Sequence, residues 1–213
     1  MQLPRPRPAR VPLAGRYCRL EPLAAGHAAG LFETCRTPRL YDYLFDHPPG
    51  SLADVQAWVA KVAAVDDPLF FAVVDGASGR TCGRQALMRI TPDHGVIEIG
   101  NICWGDGAAR TRVATEALYL FAHHVFDDLG YRRFEWKCND LNGPSKAAAL
   151  RFGFAYEGTF RQHMWAKGAN RDTAWFAMID GDWPRLKAAY ERWLDAANFD
   201  AAGRQRASLD ART

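Results

Sequence analysis

The sequence predicts a mixed β-sheet with helices packed on both faces, of the α+β or α/β kind. Three observations carry this expectation. Residues 95–158 read strand, glycine turn, helix, strand, helix, strand. Residues 69–75 and 80–90 are apolar runs joined by Gly76-Ala77-Ser78-Gly79, a hairpin signal. Residues 154–166 and 173–179 form a second such pair around the turn KGANRD.

Each element has its own cue. Residues 1–14 alternate proline with arginine, so neither helix nor central strand fits; an extended, mobile arm is expected. Residues 16–21 read as a short strand and 23–35 as a helix. An aromatic-rich loop, residues 36–50, ends at Pro48, Pro49 and Gly50. Ser51 and Asp54 resemble a capping box and open a helix through residue 65. Residues 96–104, VIEIGNICW, form a long strand after the turn at 92–95. In residues 113–131, Val113, Ala117, Leu120, Phe121 and Val125 recur at helical spacing and define one buried face. A strand at 132–139 leads to a helix capped by Asn142, and Pro184 marks the first turn of a last helix at 183–196. The expected organisation is an arm at 1–14, one domain at 15–197 and a polar, frayed tail at 198–213.

Composition narrows the function classes. The 213 residues are 48% hydrophobic and 24% charged, enough for one full core. A net charge of +3 with scattered cations does not point to nucleic acid. Five cysteines with no CxxC pair argue against a disulfide framework or a metal site and fit reduced thiols in a cytoplasm. No apolar run approaches the ~18 residues of a membrane span, so no membrane partner is expected. His123 and His124 are adjacent on a helix, where their side chains diverge and cannot share a metal.

The chemistry concentrates after Trp104. There a strand enters a helix N-terminus through Gly105, Gly107, Arg110 and Arg112. Backbone N–H groups, the helix dipole and two guanidinium groups would suit a phosphorylated ligand. Gly105-Asp106-Gly107 lacks the third glycine of a dinucleotide fingerprint, because Arg110 stands there.

The order of elements, together with VIEIGNICW, Ala114-Thr115-Glu116-Ala117, Asn142-x-x-Ser145 followed by Phe152-Gly153-Phe154 and Glu157-Gly158, and the late hairpin GANRDTAWFAMI, resembles the GNAT superfamily of acyl-CoA-dependent N-acyltransferases. The likeness is greatest to its ribosomal-protein-alanine N-acetyltransferase (RimJ/RimL-like) branch and spans residues 16–183. It implies a GNAT-like, mostly antiparallel central sheet of about seven strands. It also implies acetyl-CoA as co-substrate and a primary amine, a protein N-terminal α-amine or a small molecule, as acceptor.

Under this resemblance Ile102, Cys103 and Trp104 on the strand end would meet the pantetheine arm, with Asn142 and Ser145 opposite. Ala109, Arg110, Thr111, Arg112, Val113 and Ala114 would hold the pyrophosphate. Two departures stand out. The superfamily motif Q/R-x-x-G-x-G/A aligns with Ala109 at its first position and Arg112 at its first glycine. The tyrosine that protonates the leaving thiolate in many members is Ala149 here, so Ser145 becomes the candidate acid.

Glu98, which interrupts an apolar strand, is the first candidate for the base, and burial is expected to raise its pKa; Glu157 is a weaker one. Tyr41, Tyr43 and Asp172 are the candidate acceptor-binding residues, with Arg171 beside the last. An α-amine of pKa ~8 is about a tenth neutral at pH 7, whereas a lysine near ~10.4 is under about a thousandth, which favours the α-amine. Two other readings stay open: a catalytically degenerate CoA-binding sensor or assembly module, and the same fold transferring a larger acyl group such as succinyl. A homodimer, paired through the late hairpin or the terminal helix, is the expected assembly.

Overall fold

The computed structural model describes residues 3–211; the first two residues of the expected arm and the last two of the expected tail lie outside them. Eight strands form one sheet: β1 (Leu13–Ala14), β2 (Cys18–Pro22), β3 (Leu69–Asp75), β4 (Thr81–Thr91), β5 (Val96–Trp104), β6 (Arg133–Asn139), β7 (Ala155–Ala166) and β8 (Ala169–Ile179). Their spatial order is β1-β2-β3-β4-β5-β6-β8-β7. Only β5 and β6 pair in parallel, because the chain between them must cross over through a helix. The sheet thus has one strand more than expected, the two-residue β1 that forms where the chain turns back on β2.

Among the described residues five α-helices flank the sheet: α1 (Ala28–Cys35), α2 (Leu52–Ala63), α3 (Arg112–His123), α4 (Gly143–Arg151) and α5 (Trp183–Leu194). The central strand β3 is buried along all but its last residue, so its near-continuous apolar run serves two cores at once. Leu69, Phe71 and Val73 join the larger core with α3, α4 and α5, where Phe71 and Phe121 meet edge to face at 5.2 Å. Phe70 and Ala72 point the other way, into a smaller core with Leu31, Val55 and Val59 of α1 and α2.

Local rules account for several boundaries. The capping box forms as expected, with Asp54 N–H donating to Ser51 Oγ at 3.2 Å and Ser51 N–H donating to Asp54 at 2.8 Å. The helix expected over 113–131 stays α-helical only to His123, and residues His124–Asp128 continue as a π turn. The helix expected over 23–35 begins with a 3-10 turn at Ala25–His27. The second hairpin turns at Lys167 and Gly168, both with positive φ, so Arg171 and Asp172 lie on a strand rather than in the turn.

The termini are held. Arg5 N–H donates to Pro92 O at 3.0 Å, Tyr131 Oη to Pro6 O at 3.1 Å, and Arg10 to Asp66 at 3.0 Å. At the other end Leu209 and Ala211 are buried in the larger core and Trp193 Nε1 donates to Gln205, so the tail docks where fraying was expected.

Candidate active site

The site begins where β5 and β6 part. Their pairing runs only from Val96 with Arg133 to Ile99 with Trp136. Beyond it β5 follows β4 while β6 follows β8, and the β6-facing edge of residues 100–104 has no strand partner. A bulge helps to drive the parting. Arg84 pairs with Cys103 and Ala86 with Gly100, so Asn101 and Ile102 share the space of one partner residue, with Asn101 at φ 51°. Arg84, only 3% exposed, pins this bulge by donating to Asn101 O at 3.2 Å and pairs with Asp46 at 2.8 Å.

One end of the opening is the α3 N-terminus. Gly105 ends β5 where an added Cβ would lie 2.5 Å from Thr34 O, so no larger residue fits without movement. The loop then folds on itself: Ala108 and Ala109 N–H donate to Gly105 O, Thr111 N–H to Ala108 O, and Thr111 Oγ1 to Ala108 O. Thr111 therefore spends its hydroxyl inward and does not cap the helix. The N–H groups of Arg110, Arg112, Val113 and Ala114 are left as the outward donors of the cradle.

Arg110 is exposed and holds φ 65°, a left-handed conformation that usually falls to glycine. Arg112 is turned elsewhere, its guanidinium 4.5 Å above the Tyr17 ring and 5.6 Å from Phe199. The two arginines expected to act together are thus separated. Asp106 in the same loop pairs with Arg39 at 2.6 Å and accepts from Thr37, which ties the cradle to residues 36–50.

The signature Ala114-Thr115-Glu116-Ala117 has a structural cause. Glu116 is buried and accepts three backbone N–H bonds, from Arg16 at 2.8 Å, Tyr17 at 2.6 Å and Cys18 at 2.7 Å. It fastens the turn between β1 and β2 to the first turns of α3. Its role was not foreseen, although an acidic residue inside a buried helical face is a readable signal.

Across the opening, Asn142 caps α4 through Ser145 N–H at 3.0 Å. Ser145 Oγ accepts from Trp136 Nε1 at 3.0 Å, which leaves its own proton to donate. Cys138 lies close by; burial pushes its thiol up, opposed by the Ser145 hydroxyl. On β5, Ile102 is half-buried, the Cys103 carbonyl accepts from Cys35 Sγ at 3.5 Å, and Trp104 Nε1 donates to Gln85 at 3.1 Å.

The α1–α2 face of the opening carries a ladder of charge. Glu98, 3% exposed, accepts from Arg89 with both oxygens at 2.8 Å and pairs with Lys137 at 2.9 Å. Lys137 also pairs with Glu135 at 2.7 Å, Glu135 with Arg133, and Arg133 with Glu157. Lys137 Nζ stands 3.7 Å from the centre of the Trp175 ring. Glu98 is buried as expected, yet within an ion network rather than an apolar wall. The network was missed, although alternation in Arg133-Phe134-Glu135-Trp136-Lys137 puts its three charges on one face of β6.

Residues 36–50 roof this face. Tyr43 Oη donates to Leu141 O at 3.2 Å and Lys167 Nζ to Tyr41 O at 2.6 Å. The Tyr41 ring is buried in the smaller core beside Cys35 and Cys103, and that burial pushes its phenol up. Asp172 accepts from Gln162 N–H at 2.7 Å and lines a cleft of about 670 Å³ with Asn139, Asp140, Leu141 and Arg161. The structure thus puts Asn142 and Ser145 at the start of α4 beside Trp136, and Glu98 on the other face of the sheet with Lys137. Tyr43 is on the roof, and Asp172 lies on the opposite side of β8 from Arg171.

The architecture as a whole is shared with known proteins. The family model "Acetyltransferase (GNAT) domain" matches residues 18–155, and the chain belongs to the GNAT acetyltransferases. A GCN5-related N-acetyltransferase from Brucella melitensis is 54% identical, with a TM-score of 0.96 over 98% of this chain and 96% of that one. A probable GNAT-family acetyltransferase from Chromobacterium violaceum is 35% identical, with a TM-score of 0.80 over 86% and 93% of the two chains. RimL, a ribosomal L7/L12 alpha-N-protein acetyltransferase, shares the fold at 18% identity, with a TM-score of 0.69 over 79% and 94%. No curated protein matches the chain. The protein is therefore an acetyltransferase enzyme. Among the described residues no helix is long and apolar enough to cross a membrane, and no cluster of three or more His, Cys, Asp or Glu could hold a metal.

Proposed function

We propose that the enzyme moves an acetyl group from acetyl-CoA to a primary amine, either a protein N-terminal α-amine or a small molecule, by direct attack in a ternary complex. The supporting observation is the β5–β6 opening, which ends at the donors of Arg110, Arg112, Val113 and Ala114. The diphosphate of the coenzyme would rest on those donors with Arg110 as counter-charge, because the dipole and N–H groups favour an anion there. Ala109 and Thr111 would shape that loop, and Ile102, Cys103, Trp104 and Asn142 would flank the pantetheine arm.

The amine enters from the α1–α2 face under Tyr43. Tyr41, whose ring is buried in the smaller core, would shape the roof from behind, and Asp172 would act from the cleft on the other side of β8. As its nitrogen attacks the thioester carbon, the carbonyl oxygen gains charge beside the free edge of the bulge at Asn101–Ile102. Glu98 takes the proton that the amine must lose. Three of its roughly four lone-pair sites are occupied, which leaves room for one more donor. The C–S bond then breaks while the Ser145 hydroxyl donates a hydrogen bond to the departing sulfur, and the proton taken by Glu98 passes through solvent to the thiolate, which restores both side chains. Arg110→Glu tests the placement: the acetyl-CoA dissociation constant should rise about tenfold or more, as a charge-assisted contact is lost and a repulsion gained. Unchanged binding by calorimetry would refute it.

A further inference from the structure

Among the cations of β4, β6 and β8, one is left without a carboxylate. Arg84, Arg89, Arg133 and Lys137 are matched by Asp46, Glu98, Glu135 and Glu157 in the pairs described above. Arg171 stands on β8 in line with Thr173 and Trp175, which share its face by strand alternation. It is 9% exposed, and no carboxylate or hydrogen-bond acceptor among the described residues meets its guanidinium. Its Nε is buried without a partner, and its guanidinium lies 4.9 Å from the centre of the Phe45 ring of the roof. Trp175 Nε1, two residues beyond Thr173 on that face, is also buried without a partner. Burial pushes the guanidinium down from its ordinary value, Arg89 pushes the same way, and Cys138 and then Glu98 oppose them.

An unpaired guanidinium under a roof is costly to keep, since a buried charge is tolerated when it is paired. We propose that Arg171 receives a substrate carboxylate, in the forked two-bond geometry that guanidinium groups offer such anions. The inference rests on the transfer reaction proposed above. Two substrates could carry the carboxylate: the acceptor amine, as in an amino acid, or the acyl chain of a dicarboxylic thioester such as succinyl-CoA. The same cation would repel polyamines, so these should be poor acceptors.

The test measures binding and turnover with compounds that differ by one carboxylate. Glycine and β-alanine are compared with their amides on the CoA-loaded protein, and succinyl-CoA is compared with acetyl-CoA on the free protein. Calorimetry gives each ratio whether or not transfer occurs, and dividing wild type by variant cancels differences in amine basicity. The carboxylate-bearing member should bind about tenfold or more tightly to the wild type in one of the two series. That preference should fall to near unity in Arg171→Met and partly return in Arg171→Lys. The melting temperature of Arg171→Met should change little, because no hydrogen bond or ion pair is lost with the guanidinium and the Met side chain can still pack on Phe45. Preference among amines assigns the carboxylate to the acceptor, and preference among thioesters assigns it to the acyl group. A wild-type ratio near unity in both series, or a preference that survives in Arg171→Met, overturns the inference. Carboxylate preference without turnover would instead remove the transfer reaction alone.

Discussion

Replacing Glu116 with alanine should loosen the fold at the point where the first turns of α3 are anchored to the β1–β2 turn. Three buried or half-buried N–H groups, of Arg16, Tyr17 and Cys18, donate to this one carboxylate, two of them to Oε2. Each donor left without an acceptor costs about 1–3 kcal/mol. The three are neighbours and can relax together, so about 4 kcal/mol is expected rather than the full sum. That is a large share of a typical stability of about 5–15 kcal/mol. At about 2–4 °C per kcal/mol for a chain of this size, the melting temperature should drop by about 8–16 °C. Gly15 sits so close that an added Cβ would meet the Glu116 carboxyl at 2.4 Å, so Gly15→Ala should produce a smaller loss by displacing the same group. Glu116→Gln should fall between wild type and alanine, because its amide keeps one acceptor oxygen. Urea and thermal unfolding measure these differences. A loss below about 1 kcal/mol in Glu116→Ala would refute the reasoning, because it would mean that water satisfies the three donors.

Other perturbations reach the chemistry and the surface. Glu98→Gln should lower turnover mainly at acidic pH, where the amine is protonated and most needs a base, so an unaltered pH–rate profile would remove Glu98 from that role. Ser145→Ala should reduce kcat about a hundredfold while leaving acetyl-CoA binding intact, measured by steady-state kinetics beside calorimetry. The Arg133 guanidinium holds Glu157 below the usual carboxylate range. With the folded value the lower one, its stabilisation is present above the ordinary value of ~4.3 and fades as pH falls through the folded value. Glu157→Gln should therefore lose up to about 1 kcal/mol at pH 7, limited by 42% side-chain exposure, and nothing once both states are protonated. Melting curves at the two extremes of pH decide this.

Much of the architecture was written locally. The hairpins, the capping box at Ser51 and the proline in the first turn of α5 each depend on neighbours within a few residues, and each forms. The strand end at 101–104 was marked by the family resemblance and by the glycine turn after Trp104, whereas the parallel pairing of β5 with β6 and its parting came only from the structure. The contacts there were less legible, for a physical reason. Periodicity assigns a side chain to a face, but the partner on that face belongs to a strand or loop set by the whole topology. Arg112 illustrates this: its charge suggested the cradle, yet Tyr17, far away in sequence, offers it a ring. Lys137 meets Glu98 only because β5 and β6 are adjacent, and Arg171 meets Phe45 only because residues 36–50 fold over β8. The extent of the π turn at His124–Asp128 likewise has no marker in a pattern that reads as continuous helix.

Hydrogen exchange with and without acetyl-CoA interrogates the cofactor seat most directly. The backbone amides of residues 110–114 and of the unpaired edge at 100–104 should exchange markedly more slowly once the coenzyme is added, with β3 and α5 unchanged. Identical exchange at those two segments, or protection confined to another part of the molecule, would contradict a coenzyme lying between β5 and β6.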